Sequence, residues 1–205
     1  TGTDNNGNTY QGQIQITVQP STYSKYFSDL YNYSWAVQSV DFLYENGVVS
    51  GTGAGTYGPS LAISRGDFML MLCRAFNLQS SSAANFPDVP AGSYYAQAIQ
   101  TARSLGIASG YPDGGFHPQN PVSRQDAMVF LKRAMQAAGW SLGSGSSSLL
   151  NGFSDGAQVA DYAKDAVATM ISYGVLTGTS NGTLAPNTQM TRAEMAVVLA
   201  RVLTM

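Results

Sequence analysis

The chain has 205 residues, 11% of them charged, with 10 Lys and Arg against 12 Asp and Glu and a formal net charge of -2. That length buries a real core, as one large domain or as several small packed units. The faintly acidic balance excludes a broad basic surface for nucleic acid or anionic membrane, and no run of about 18 apolar residues is present to span a bilayer.

Thr1 to Asn8 is polar and Gly/Asn-rich and reads as a flexible lead-in. Asp4, Asn6 and Asn8 alternate like the start of a calcium loop, but the glycine and closing acid of such a loop are missing. Tyr10 to Val18 alternates with period two and is closed by Pro20, which predicts one β-strand. A lone strand has no sheet to join, so it reads as the end of an upstream all-β domain or as an arm lying on the body. The first residue is not Met and no leader is visible, which reads as a fragment or a processed form.

From Tyr26 onward an internal repeat takes over. Phe27-Ser28-Asp29, Phe86-Pro87-Asp88 and Phe153-Ser154-Asp155 open three units, and each acid reads as a loop or helix cap. A helix follows each opening, with one apolar face: Ala36, Val40, Leu43 and Tyr44, then Tyr95, Ile99 and Ala102, then Ala163, Val167, Met170 and Ile171. Each runs into a glycine, Gly47, Gly106 or Gly174, where a left-handed cap is expected. Two apolar residues then plug the core, and a hydroxyl and a glycine begin a loop: Ser50-Gly51, Ser109-Gly110 and Thr177-Gly178.

Each loop leads to a helix start that reads as a capping box: Ser64-Arg65-Gly66-Asp67, Ser123-Arg124-Gln125-Asp126 and Thr191-Arg192-Ala193-Glu194. In such a box the hydroxyl accepts from an orphan amide and the acid reaches back to the cap. The box arginine follows the capping glycine by 18 residues in all three units, and a proline, Pro59, Pro118 or Pro186, follows that glycine by 12. Constant length across divergent residues implies a loop of fixed geometry, expected to carry the hydroxyl-glycine pair back over the start of the helix that follows it. That helix carries Leu72, Leu131 or Leu199 toward the core, with Arg74, Arg133 or Arg201 near its far end, where a cation suits the dipole. An arginine in the first turn does not suit it. Three of them at one register imply that each faces an anion, either a carboxylate of the protein, with Asp29, Asp88 and Asp155 as candidates, or an acidic ligand held by guanidinium and helix-start amides together.

Other chemistry is thinly represented. Cys73 lies in an apolar run, reads as a small buried hydrophobe, and has no second cysteine to pair with. His117 is the only histidine, so no histidine metal cluster can be built, and no serine is marked for a triad with it. Arg65-Gly66-Asp67 sits within a capping box and not on an open loop tip. Among the aromatics Tyr111 is the best exposed candidate for stacking on a sugar; the others, Trp35 and Trp140 included, read as core where they fall on a helical face. Gln79 to Asn85 and Gly139 to Gly152 separate the units, the latter through a Gly/Ser tether at Gly143 to Ser148. Units of two helices bury little alone, so the expected fold is mainly α: three tandem two-helix units packed as one pseudo-threefold helical body, with a short N-terminal β-strand or arm.

The Phe-x-Asp openings, the segments ending in Ser/Thr-Gly, the turn Tyr111-Pro112-Asp113-Gly114-Gly115-Phe116-His117-Pro118 and Thr191-Arg192-Ala193-Glu194 together resemble the S-layer homology domain, in three tandem copies from Tyr26 to Met205. The boundaries read as 1–25 for the lead-in, 26–80, 81–140 and 153–205 for the units, and 141–152 for a linker. The resemblance implies a non-catalytic module without cofactor or metal, on the outside of a bacterial cell in its wall or surface layer. It implies grooves between units that bind an acidic secondary cell wall polymer through a pyruvylated N-acetylmannosamine, with other surface-layer proteins as further partners. Carried over by motif, Arg65, Arg124 and Arg192 would hold the pyruvate carboxylate, with Ser50, Ser109, Thr177, Gly51, Gly110 and Gly178 lining the grooves. One groove would combine Arg65 and Ser50 with Gly110. Only the third box is the full Thr-Arg-Ala-Glu, Gly66 interrupts the first, and the first and third loops lack the Tyr-Pro-Asp-Gly turn, which implies altered pockets there. The competing reading is a structural module of a surface layer that assembles with copies of itself or with another surface protein.

Overall fold

The computed structural model describes residues 22–205, together with a two-residue antiparallel pair, Gly2–Thr3 with Thr9–Tyr10. The strand expected over Tyr10 to Val18, apart from Tyr10, and the calcium-like run at Asp4 to Asn8 lie outside the described residues. Six α-helices follow among the described residues: α1 (Ser34–Glu45), α2 (Arg65–Ala75), α3 (Ala96–Ser104), α4 (Arg124–Ala137), α5 (Asp161–Ser172) and α6 (Arg192–Leu203). The body is mainly helical, as the periodicity predicts. None of these helices is long and apolar enough to cross a membrane.

The local signals act where they stand. Gly47, Gly106 and Gly174 have φ of 69°, 70° and 69°, the left-handed turn that ends α1, α3 and α5 without a Cβ penalty. The boxes start α2, α4 and α6: Ser64, Ser123 and Thr191 each accept from the backbone amide three residues on. The return bond from acid to cap amide is recorded only in the third, where Glu194 reaches Thr191 N at 2.9 Å. Asp67 bonds the Ser64 hydroxyl instead, one methylene being the difference.

The helices do not pair within their own repeats. α1 packs on α6, α3 on α2 and α5 on α4, so each repeat lays its first helix against the second helix of the repeat before it, and the third closes onto the first. Leu72, Leu131 and Leu199 are all fully buried in the resulting core, where truncation of any one to Ala costs roughly 3 kcal/mol. At the centre three short segments bond in a ring: Val122 N to Ile63 O, Met190 N to Val122 O and Ile63 N to Met190 O, at 3.1, 3.0 and 2.9 Å. All three side chains are fully buried on this pseudo-threefold axis. The linker at Gly143 to Ser148 is not a free tether. Gly145 donates to Thr169 Oγ1, and a Cβ there would stand 2.2 Å from the Ala168 backbone, so only glycine lets the linker lie on α5.

The proline loops also serve the neighbour and not their own helix, which corrects the expectation from spacing. Arg65 and Gly66 amides donate to Asn120 and Pro118 carbonyls, Arg124 and Gln125 amides to Thr188 and Pro186, and Arg192 and Ala193 amides to Leu61 and Pro59. The first helix-start amides are therefore satisfied by protein carbonyls and are not left to cradle an anion. At the first of these starts a Cβ on Gly66 would stand 3.0 Å from the Tyr95 ring and 3.1 Å from Pro118 O, which accounts for its glycine.

Candidate functional site: three grooves between repeats

The same loops receive the box arginines. Arg65 Nε donates to Phe116 O, Arg124 Nε to Leu184 O and Arg192 Nε to Tyr57 O, each at 2.9 Å. The loops are held in turn by the unit-opening acids. Asp29 accepts from the amides of Tyr57 and Gly58, Asp88 from Phe116 and His117, and Asp155 from Leu184 and Ala185. Burial alone would raise the Asp88 carboxyl, but the Phe116 and His117 amides outweigh it and hold the group below the ordinary carboxylate value. These acids are loop clamps. They do not form ion pairs with the arginines, as one alternative had them.

Each arginine stands at a groove whose other wall comes from the next repeat. Arg65 shares a cavity of about 390 Å³ with Ser109, Gly110, Tyr111, Asp126 and Arg133. Arg124 shares one of about 540 Å³ with Thr177, Gly178, Glu194 and Arg201. Arg192 shares one of about 530 Å³ with Ser50, Gly51, Asp67 and Arg74. The expected grouping of Arg65 with Ser50 is thus corrected: cyclic packing gives Ser50 to Arg192 and brings Ser109 with Gly110 to Arg65. The far-end arginines, ordinary by sequence, line the grooves as well.

The glycines of these grooves have a packing reason of their own. A Cβ on Gly110 would lie 2.5 Å from the Phe86 ring, one on Gly178 2.5 Å from Phe153, and one on Gly51 2.9 Å from Phe27. The opening phenylalanine of each repeat seats the loop that begins with the hydroxyl.

A third element contributes what sequence reading missed. Tyr162 enters the Arg65 groove, Trp35 the Arg124 groove and Tyr94 the Arg192 groove, each from the first helix, or the turn that starts it, of the remaining repeat. They are 62%, 55% and 69% exposed, unlike core aromatics. Each precedes its capping glycine by 12 residues, a signal present in the sequence. Tyr162 and Tyr94 donate to the box acids Asp126 and Asp67 at 2.7 and 2.6 Å. Burial, then the bond to Asp67, pushes the Tyr94 hydroxyl up to about 12, and the Tyr162 hydroxyl moves the same way beside Asp126.

As whole residues the three arginines are 4%, 8% and 7% exposed. Arg65 is flanked by the rings of Tyr111, Phe116 and Phe130, at 4.6, 4.7 and 5.1 Å, and burial lowers it from its ordinary value while leaving an arginine charged. Of its guanidinium nitrogens Nε alone bonds a described residue, and no fully buried side-chain nitrogen among the described residues lacks a partner, so Nη1 and Nη2 reach the groove. Arg192 additionally gives Nη2 to Ser50 O at 2.9 Å. Neither forms an ion pair among the described residues, whereas Arg124 Nη1 pairs with Glu194 Oε1 at 3.0 Å.

The S-layer homology domain family model matches residues 26–69, 85–128 and 152–196, more than half of the chain. The chain belongs to the S-layer homology domain family. It is 29% identical to an amylopullulanase of Thermoanaerobacterium thermosulfurigenes over 86% of its own length and 9% of that protein. It is 29% identical to the exoglucanase XynX of Acetivibrio thermocellus over 96% of its length and 18% of that protein. Against the surface-layer 125 kDa protein of Lysinibacillus sphaericus the identity is 30% over 82% of the chain and 14% of the relative. The chain therefore spans less than a fifth of the length of these relatives, and the enzymes among them match it through the S-layer homology repeats. Family and relatives associate it with the cell surface and cell wall.

Proposed function

We propose that this chain is a non-catalytic anchoring module that binds an acidic secondary cell wall polymer through a pyruvylated N-acetylmannosamine, in grooves between its S-layer homology repeats. The observation that carries the reading is Arg65: a guanidinium set among three rings, fixed at Nε, with both Nη amino groups open to a groove and no carboxylate among the described residues paired with it. A buried cation of this kind favours an incoming carboxylate, which the two Nη groups can take as a fork. Tyr111 and Tyr162, both partly exposed beside it, offer faces and a hydroxyl to the sugar ring. Arg192, with the Tyr57 ring alone beside it among the described residues and one fewer open nitrogen, offers a second such cation, and two occupied grooves on one polymer would strengthen attachment by effective concentration.

The test is retention on purified wall polymer. The double variant Arg65→Ala/Arg192→Ala, shown to be folded by its melting curve, loses binding by about 100-fold, as expected for two charge-assisted contacts removed. Retention equal to the parent chain contradicts the proposal.

A further inference from the structure

We infer that Glu194 is an internal counter-ion that occupies the Arg124 groove, so that the chain has two carboxylate sites and a third held shut; this rests on the reading above. In the two other grooves the box acid is an aspartate, and a tyrosine hydroxyl from the third wall holds it: Asp126 by Tyr162, Asp67 by Tyr94. In the Arg124 groove both features change together. The acid is Glu194, one methylene longer, and the third wall offers Trp35, whose ring carries no hydroxyl. Glu194 Oε2 serves the cap, bonding the Thr191 amide and hydroxyl at 2.9 and 3.0 Å, which leaves Oε1 to meet Arg124 Nη1 at 3.0 Å. The capping box thus positions the carboxylate on the guanidinium. An external carboxylate can take this place only by displacing one that is tethered to the same helix start, at the effective concentration of a neighbouring side chain. Arg124 Nε is fixed to Leu184 O as in the other grooves, so the cation is placed alike and differs in that its Nη1 already carries a carboxylate.

Two readouts test this on the whole chain. In arginine side-chain NMR without ligand, Glu194→Gln, which keeps a box-forming amide, shifts the Arg124 guanidinium signals and leaves those of Arg65 in place. Titration with a pyruvylated N-acetylmannosamine then gives two sites in the parent chain, with the Arg65 and Arg192 signals moving and that of Arg124 still. It gives three sites in Glu194→Gln and in Glu194→Asp/Trp35→Tyr, and two again in Glu194→Gln/Arg124→Ala. Affinity at the opened site rises by at least about tenfold over any residual binding at Arg124 in the parent chain. An Arg124 signal indifferent to Glu194→Gln, or three equal sites in the parent chain, overturns the inference. If the Arg124 signal does respond to Glu194→Gln while no arginine responds to sugar, the counter-ion stands and the sugar reading falls.

Discussion

The Arg65 and Arg124 grooves are assembled from equivalent parts: an arginine held at Nε by a neighbour's loop, a hydroxyl-glycine pair, a box acid, a far-end arginine and an exposed aromatic. Their differences lie around the guanidinium: the rings of Tyr111, Phe116 and Phe130 flank Arg65, the box acid is Asp126 at one and the longer Glu194 at the other, and the third wall offers the phenol of Tyr162 at one and the indole of Trp35 at the other. Asp126 bonds the phenol of Tyr162 and forms no ion pair with Arg65, whereas Glu194, opposite Trp35, pairs with Arg124. On the proposed reading, sugar binding by this chain would depend less on the presence of the arginine than on what else within the molecule claims its charge.

The clamps beneath the grooves offer the sharpest way to separate structure from binding. Asp88→Ala and Asp155→Ala each strip two loop amides of a charged acceptor, and each is expected to lower stability by about 2–3 kcal/mol. For a chain of this size that is a drop in Tm on the order of 5–10 °C. Calorimetric melts should show similar losses, yet only Asp88→Ala should cost a sugar site, because its loop positions Arg65 while that of Asp155 positions the self-paired Arg124. Equal loss of sugar binding in the two variants would break the comparison.

A smaller effect distinguishes the groove glycines from the helix-capping ones. Gly110→Ala drives a methyl into the Phe86 ring and the Gly115 carbonyl and should cost about 1–3 kcal/mol in denaturant unfolding. Gly106→Ala meets nothing within 4 Å and should cost only the left-handed backbone penalty, about 1 kcal/mol.

The smallest difference is confined to the Arg192 clamp. Tyr57, whose carbonyl holds Arg192, also donates its hydroxyl to Arg192 O at 3.1 Å, and burial pushes that phenol up to about 12. Phe116 and Leu184 occupy the equivalent places and have no such proton. The raised value means that Tyr57 stabilises fully below pH of about 10, the ordinary phenol value, and that this contribution is lost as pH climbs toward about 12. Melting curves of Tyr57→Phe against the parent chain should converge across that alkaline window. A constant gap would show that the phenol does not titrate with folding.

Much of this was legible in the chain. The capping glycines, the box starts, the apolar faces and the buried thiol of Cys73, raised to about 11 by its apolar setting, all follow from short-range chemistry that a sequence displays directly. The cyclic exchange of helices was not, because periodicity says which face is apolar and not which helix covers it. That exchange moved Ser50 from Arg65 to Arg192 and brought the proline loops to a neighbour's helix start. The far-end arginines read as dipole partners, and Arg133 and Arg201 do bond the carbonyls of Ile107 and Val175, yet the same side chains line grooves that exist only after three repeats close. Trp35, Tyr94 and Tyr162 carried a register signal, but a helical aromatic reads as core until packing shows it standing out at a seam.

The most direct test of the central claim is calorimetric titration of the chain with a pyruvylated N-acetylmannosamine and with the same sugar lacking its pyruvate. An open guanidinium at Arg65 predicts saturable binding of the first and a loss of affinity of about 100-fold or more for the second, with Arg65→Ala removing the preference. Equal affinity for the two sugars, or a preference that survives Arg65→Ala together with Arg192→Ala, would contradict the account.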